Sequence, residues 1–396
     1  MQIEDKIKDF IDNFYTDTDL SELVKLVPIT LKDTTSNNDL GYKTICNKVF
    51  DLLKNSTLKD KYRIEIEERC TYLIQKLFKT YVKKDTLVIT SSHDHQSTTN
   101  MLGDSKRYIV NLYRLQDKQE RIKIFEEIAA TFKENNCKDI FFIMVGTTPQ
   151  SAITIDQSFF IELKQYFIKH NIPHLMFLDD CQGIVMIERN YDIFDGFLAS
   201  GHVLSLLFPD VGLLFTKLPQ QIGYINKQVL SDLYKKFEIV DKYKSKASIF
   251  NDLLTDYFSS ENNFKKYKNE VPHQFALSLK DTINNAKFDI KFIKYGIIFN
   301  PINCEDNFVR LRYHEAIIQD SDTFIKGLKE LETHLKKLAR FRDFTKGTVK
   351  YSQDREDDLP MSKVELNKKL QVMLNLKQQN RIQERFLSAY LQQKTR

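Results

Sequence analysis

Short apolar runs that alternate with amphipathic segments constrain the fold of this 396-residue chain more than any other feature. Six such runs have the length of strands and are rich in β-branched and aromatic residues. They are DTLVITS (85–91), RYIVNLYR (107–114), KDIFFIMVG (138–146), HLMFLD (174–179), DGFLASG (195–201) and VGLLFTK (211–217). Between them, segments 95–102, 116–135 and 155–170 predict helices. The alternation predicts an α/β fold with a mostly parallel sheet flanked by helices.

The pattern changes after residue 225. Lysine-rich sequence of helical character occupies 227–287, and two strand candidates follow at 294–302 and 307–316. A strongly periodic segment at 321–341 predicts a closing helix. This order predicts a smaller α+β domain beside the large one.

Five segments follow from these patterns. They are an N-terminal helical segment (1–55), a large α/β domain (56–240), a small α+β domain (241–341), a polar linker (342–361) and a basic amphipathic helical tail (362–396). The tail begins with a capping box formed by Ser362 and Glu365. Three roles stay open for it: a helix packed on its own domain, an arm that docks on a partner subunit, or a membrane-surface helix.

The net charge of +5 lies on the tail. Residues 341–396 hold 12 Lys and Arg against 7 Asp and Glu, so 47 of each sign remain for residues 1–340. A neutral globular part lacks the basic surface that nucleic acid requires, so nucleic-acid binding is disfavoured.

Other patterns bear on the compartment and on metals. No apolar run reaches the ~18–20 residues of a membrane span, and the N-terminus lacks the features of a secretory signal. Five scattered cysteines, with no C-x-x-C, indicate reduced thiols and no metal site. The sequence predicts a soluble, intracellular protein, in the cytoplasm or the mitochondrial matrix.

Three short segments carry a resemblance to a known family. They are Asp179-Asp180-Cys181-Gln182-Gly183 at the end of a strand, Ser91 to Ser97 with His95 at its centre, and Arg310 in NFVRLRY. In this order they resemble fold type I pyridoxal-phosphate (PLP) enzymes, above all the α-oxoamine synthases and the aminotransferase class I-II family. The resemblance covers about residues 60–340.

The resemblance implies roles for these residues. Asp179 would pair with the pyridinium nitrogen of the cofactor, which keeps the ring protonated and able to accept electrons. His95 would stack on the ring, and Arg310 would bind a substrate carboxylate.

Three departures from the family fall on its chemistry. Val203 stands where the family has its Schiff-base lysine, and Gln182 replaces a histidine that lies beside the cofactor. The turn that caps the cofactor phosphate should lie in the segment 56–84, which holds no glycine. Without the lysine, the covalent link to the cofactor cannot form.

The leading hypothesis is a pseudoenzyme that serves as a structural or regulatory subunit of a larger complex, as a homodimer or heterodimer. Within the resembled family, the regulatory subunit of serine palmitoyltransferase also lacks the lysine and pairs with a catalytic partner. The hypothesis expects no catalytic residue and no bound cofactor, and a vestigial pocket formed by His95, Asp179, Gln182, His202 and Val203.

Two alternatives remain. One is an enzyme that binds pyridoxal or pyridoxamine phosphate without a covalent link and uses His202 as its base. The other is a protein that binds anionic surfaces or nucleic acid through its tail.

Overall fold

The computed structural model describes residues 2–14, 36, 38–148, 153–201, 211–259, 264–266, 274–279, 307–312 and 321–346. The chain divides into two compact units, Met1–Glu332 and Thr333–Arg396. The first unit contains the sheets and nearly all of the described helices. Of the second unit, the described part is the C-terminal portion of one helix.

A seven-stranded sheet forms the centre of the first unit. Its strands are β1 (Arg63–Glu67), β2 (Thr86–Ser91), β3 (Arg107–Val110), β4 (Asp139–Val145), β5 (His174–Asp179), β6 (Gly196–Ser200) and β7 (Gly212–Thr216). They are arranged in the order β1-β7-β6-β5-β4-β2-β3. Strand β7 is antiparallel to both of its neighbours, and the other pairings are parallel. The predicted α/β fold with a mostly parallel sheet is therefore confirmed.

Helices connect these strands and extend beyond them. The described helices are α1 (Ile3–Phe14), α2 (Leu40–Leu52), α3 (Cys70–Tyr81), α4 (Gln96–Thr99), α5 (Lys118–Glu134), α6 (Gln157–Lys169), α7 (Lys227–Tyr257) and α8 (Ser321–Lys346). Several begin at a polar side chain that accepts a free backbone N–H: Asp117 caps α5, Asp156 caps α6 and Asn226 caps α7. These caps fix where each helix starts after its strand.

The strands β4 to β7 are largely buried on both faces of the sheet, which explains why they are nearly all apolar. In β4, Phe142 packs into the core cluster on one face and Phe141 into the cluster on the other. Stacked rings fill the first cluster, with Phe197 lying 4.3 Å from Phe215 and 4.0 Å from Tyr191 between ring centroids.

Two expectations about the elements were wrong. The strand predicted at 107–114 ends at Val110, because the side chain of Asn111 accepts a hydrogen bond from the backbone of Tyr113 and starts a 3₁₀ helix. In the described part of the lysine-rich segment 227–287, the helix ends at Tyr257 and the later described residues form strands. A second, antiparallel sheet follows, formed by β8 (Phe264–Lys266), β9 (Gln274–Leu279) and β10 (Asn307–Arg312) in the order β10-β9-β8.

The elements predicted for the C-terminal part of the chain are present in some cases and lie outside the described residues in others. The predicted strand at 307–316 is present as β10, and the closing helix α8 continues to Lys346, into the segment predicted as a linker. The strand predicted at 294–302 and the tail at 362–396 lie outside the described residues. The five-segment division of the chain stays a prediction. Among the described helices, none combines the length and the apolar character needed to cross a membrane.

Candidate functional site

The carboxyl ends of β2, β4 and β5 lie side by side at one edge of the large sheet. Ligands of open α/β sheets bind at this edge, beyond the ends of the parallel strands. Three buried carboxylates meet here: Asp94 follows β2, Asp179 ends β5, and Asp180 comes next along the chain. The residues that could bind a ligand must therefore be sought around these three.

Asp94 joins the end of β2 to the end of β4. One carboxylate oxygen accepts the backbone N–H of Ser91 at 2.7 Å, and the other accepts the Ser91 hydroxyl at 2.6 Å and the Val145 N–H at 2.9 Å. Burial raises the pKa of Asp94 to about 7, although these three donors oppose the shift, and the nearby Asp179 carboxylate adds to it. Asp94 thus links the carboxyl ends of β2 and β4 through buried hydrogen bonds.

Asp180 is held in a buried ion pair. Arg189 donates from Nε to the Asp180 carboxylate at 3.2 Å, and the Tyr191 hydroxyl donates to the other oxygen at 2.5 Å. The guanidinium also donates to the Gly146 carbonyl at 2.7 Å and to the Thr147 hydroxyl at 2.9 Å. Burial raises the pKa of Asp180, while the Arg189 charge lowers it. This network fixes the segment after β5 against the end of β4.

The predicted pocket residues lie around this edge in different environments. Asp179 is buried and accepts the Cys181 N–H at 3.2 Å, and Gln182 is buried in the turn beyond it. His95 is exposed and lies just before α4, where its Nδ1 is 2.8 Å from the Ser97 hydroxyl. The neighbouring His93 is the buried histidine and packs edge-on against Tyr113 at 5.2 Å between ring centroids.

Two of the predicted pocket residues, His202 and Val203, lie outside the described residues. The same is true of the side chain of Arg310, whose backbone belongs to β10. Their predicted roles stay predictions. In the described part of the chain, no group of three or more His, Cys, Asp or Glu side chains has the arrangement of a metal site.

Two thiols occupy the space between the end of β5 and the start of α3. Cys70 is the first residue of α3, and its Sγ lies 3.3 Å from the Sγ of Cys181. The first turn of α3 is also covered by β7, because a Cβ on Gly212 would lie 2.6 Å from the Cys70 Cα and 2.6 Å from the Arg69 carbonyl carbon. The backbone at this helix start is therefore in contact with protein.

The sequence has no lysine between Lys169 and Lys217, a stretch that contains β5, β6 and the connection to β7. Lys217 follows the carboxyl end of β7, where it lies 3.7 Å from Asp195 at the start of β6. Because β7 is antiparallel to β6, this is the opposite edge of the sheet from Asp179. Five strand residues, roughly 15 Å, separate the two edges.

No protein-family model matches this sequence, and no curated protein matches it either. Solved structures do share its fold. The NifS-like protein from Rickettsia africae has a TM-score of 0.59 and 16% identity, covering 83% of this chain and 96% of its own. A kynurenine aminotransferase from Pyrococcus horikoshii, solved in complex with PMP, has a TM-score of 0.55 and 14% identity, with coverages of 84% and 86%. The histidinol-phosphate aminotransferase from Clostridium acetobutylicum has a TM-score of 0.52 and 14% identity, covering 83% of this chain and 96% of its own.

The chain therefore has the fold of the PLP-dependent enzymes of fold type I, as its sequence predicted. At these identities the likeness concerns the fold, so the chemistry must be judged from the chain's own residues. The residues at this edge do not fit the cofactor, because the sequence has no lysine between Lys169 and Lys217, the sulfur atoms of Cys70 and Cys181 are in contact beyond the end of β5, and β7 contacts the start of α3.

Sequence reasoning missed the residues that organise this edge. Asp94, Arg189 and the pair of Cys70 and Cys181 were not singled out. Arg189 could have been found, because it is the only lysine or arginine between Lys169 and Lys217 and lies among core strands. A cation in such a segment needs a buried partner. The cysteine pair gave no such signal, since 111 residues separate its members.

A pH dependence of stability follows from Asp94. Its pKa of about 7 in the folded chain means that the fold keeps a proton which the unfolded chain releases near pH 4. The stability that this group contributes is complete below about pH 4 and is lost as the pH rises through about 7. We expect Asp94→Asn, which cannot ionise, to remove a decline of roughly 2–4 kcal/mol over this window.

Urea unfolding of both proteins from about pH 4 to about pH 8 measures this effect. The slope of stability against pH is the quantity to compare, because the substitution also changes the hydrogen bonds at every pH. Parallel profiles for the two proteins would show that Asp94 is ionised throughout the range.

Proposed function

We propose that this chain is a pseudoenzyme: a fold type I scaffold that does not catalyse PLP chemistry and serves as a structural or regulatory subunit of a protein complex. The absence of any lysine between Lys169 and Lys217 carries this proposal. A covalent link to the cofactor requires an amine at the sheet edge that holds Asp179. The nearest lysine along the chain after β6 lies at the other edge, next to Asp195.

The preserved core supports a role for the scaffold itself. The aromatic stack of Tyr191, Phe197 and Phe215 is fully buried, and the ion pair of Asp180 and Arg189 is satisfied on both sides. These buried contacts stabilise the scaffold, since each unsatisfied buried polar group would cost about 1–3 kcal/mol. A stable scaffold of this kind can present its surfaces to a partner.

The subunit role rests on the tail. Its apolar residues, among them Leu370 and Leu374, recur at helical spacing, and basic residues such as Lys369 and Lys377 alternate with them. An amphipathic helix beyond a polar linker is a common form of docking arm. We place the complex in the cytoplasm or the mitochondrial matrix, with a homodimer or heterodimer as its core.

Copurification tests the proposal. The full chain, tagged and purified from its native source by two successive affinity steps, should retain at least one partner in fixed stoichiometry. The double variant Leu370→Asp, Leu374→Asp should lose that partner, because it puts charge on the apolar face. The matched variant Lys369→Ser, Lys377→Ser leaves that face intact and should retain it.

Other outcomes argue against the proposal. A chain that purifies alone as a monomer in every preparation contradicts a subunit role. Loss of binding in the lysine variant alone, together with a steep salt dependence, indicates the anionic-surface alternative. The alternative with His202 as base rests on the sequence alone, and His202→Ala would have to abolish a turnover that the wild-type chain shows.

A further inference from the structure

Two cysteines from distant parts of the chain face each other at the candidate site. Cys70 begins α3 and is buried, and Cys181 lies two residues beyond the end of β5 and is partly exposed. Their sulfur atoms are 3.3 Å apart. This contact joins the β1–α3 connection to the segment that carries Asp179, Asp180 and the Arg189 network.

The other described cysteines have different surroundings. Cys46 is a buried residue of α2, and burial raises the pKa of its thiol to about 11. Cys137 lies in the turn after α5, with its sulfur 3.9 Å from the Asn135 carbonyl. In the part of the chain that the structure describes, Cys70 and Cys181 are the pair whose sulfur atoms are in contact.

We propose that Cys70 and Cys181 form a reversible disulfide, a modification site that a small peroxide such as hydrogen peroxide oxidises. The two sulfur atoms need to approach by only about 1.3 Å to reach the length of a disulfide bond. Cys181 lies in the turn that follows β5. The site works without any cofactor and is independent of the proposed pseudoenzyme role.

The position of Cys70 makes it the attacking sulfur. It is the first residue of a 12-residue helix, where the partial positive charge of the helix N-terminus favours a thiolate. The hydrogen bond between the two thiols, together with desolvation, raises the pKa of the Cys181 thiol. Cys181 is thereby the resolving thiol.

The oxidation proceeds in two steps. The Cys70 thiolate attacks one oxygen of the peroxide, the O–O bond breaks, and hydroxide leaves, which yields a sulfenic acid on Cys70. The Cys181 sulfur then attacks the sulfenic sulfur, the S–O bond breaks, and its proton and the departing hydroxyl form water. Two electrons pass from the two thiols to the peroxide, and a thiol reductant reverses the change.

The disulfide would close a loop of 111 residues and tie the start of α3 to the end of β5. Closing a long loop restricts the unfolded chain, so the oxidised protein should unfold at a higher temperature, by about 5 °C. The bond would also fix the edge of the sheet that holds the three aspartates. Oxidation would thereby set the stiffness of this edge.

The test uses the full chain, treated with hydrogen peroxide at increasing concentration and then alkylated. Peptide mapping without reductant should give one cross-linked peptide pair that contains Cys70 and Cys181, lighter by two hydrogen atoms. The thermal midpoint should rise with the extent of cross-linking and return when dithiothreitol is added. Cys70→Ser and Cys181→Ser should each abolish both effects, whereas Cys137→Ser should leave both intact.

Two results would contradict the proposed disulfide. Oxidation of either cysteine to sulfinic acid without a cross-link shows that the pair does not resolve. A cross-link to Cys137 or to a second chain places the reactive pair elsewhere. If the serine variants fail to fold, the alkylation kinetics of the wild-type chain test the proposal instead. A disulfide between Cys70 and Cys181 requires that peroxide protects both cysteines from alkylation together and to the same extent.

Discussion

Replacing Arg189 with methionine is expected to lower the free energy of unfolding by about 3–5 kcal/mol. Methionine keeps much of the length of the side chain and removes the charge, so the buried Asp180 carboxylate loses its counter-ion. The Gly146 carbonyl and the Thr147 hydroxyl lose their donor as well. Urea and thermal unfolding of the full chain measure the effect.

Two variants control for this result. Lys54→Met breaks an exposed ion pair with Glu188, one residue before Arg189 in the chain, and should cost less than about 1 kcal/mol. The double variant Asp180→Asn, Arg189→Met should be more stable than Arg189→Met alone, because it removes the uncompensated charge. If Arg189→Met unfolds at the same urea concentration as Lys54→Met, the buried network is not what holds this segment.

Replacing Gly212 with alanine is expected to cost about 3 kcal/mol or more. The added methyl group would lie 2.6 Å from the Cys70 Cα and 2.6 Å from the Arg69 carbonyl carbon, and a backbone cannot turn aside as a flexible side chain can. Strand β7 pairs with both β1 and β6, so a shift of Gly212 disturbs three strands. Thermal unfolding, combined with the alkylation rate of Cys70, reports both the stability and the separation of β7 from α3.

Gly103→Ala is the matched control. Gly103 has a φ of +42°, and a Cβ there would meet no atom within 4 Å, so the substitution carries only the backbone strain of about 1–2 kcal/mol. If Gly212→Ala proves no more costly than Gly103→Ala, the contact between β7 and the start of α3 is loose. The helix start would then be open to an anion, which weakens the case against a cofactor phosphate.

The strands β4 to β7 could be predicted from the sequence because they are nearly all apolar, whereas β1 was not predicted, since its sequence RIEIE alternates charged and apolar residues. HLMFLD is the clearest example, since the predicted strand and β5 share the same limits, His174–Asp179. Strand β9 (QFALSL) was missed although Phe275, Leu277 and Leu279 recur at every second position, because it lies inside a lysine-rich stretch that favours a helix. In this segment the lysine-rich composition favoured the prediction of a helix over the strand that the two-residue period indicates.

The candidate site was predictable only where its residues are neighbours in sequence. Asp179 was identified from the residues that follow it along the chain. Two contacts depend on the order of strands in the sheet: that between Cys70 and Cys181, and that of Gly212 with α3. This order places the carboxyl ends of β1 and β5 and the start of the antiparallel β7 at the same edge of the sheet. No local pattern encodes such contacts, because they join segments that are more than a hundred residues apart.

Titration of the full chain with pyridoxal phosphate, followed by borohydride reduction, tests whether the candidate site still binds the cofactor. We expect no saturable absorbance of a bound cofactor during the titration and, after reduction, no adduct that depends on the sheet edge, so labelling of surface lysines should be the same in wild type and Asp179→Asn. A stoichiometric adduct, or saturable binding of the cofactor that Asp179→Asn abolishes, would contradict the pseudoenzyme proposal and favour a working enzyme.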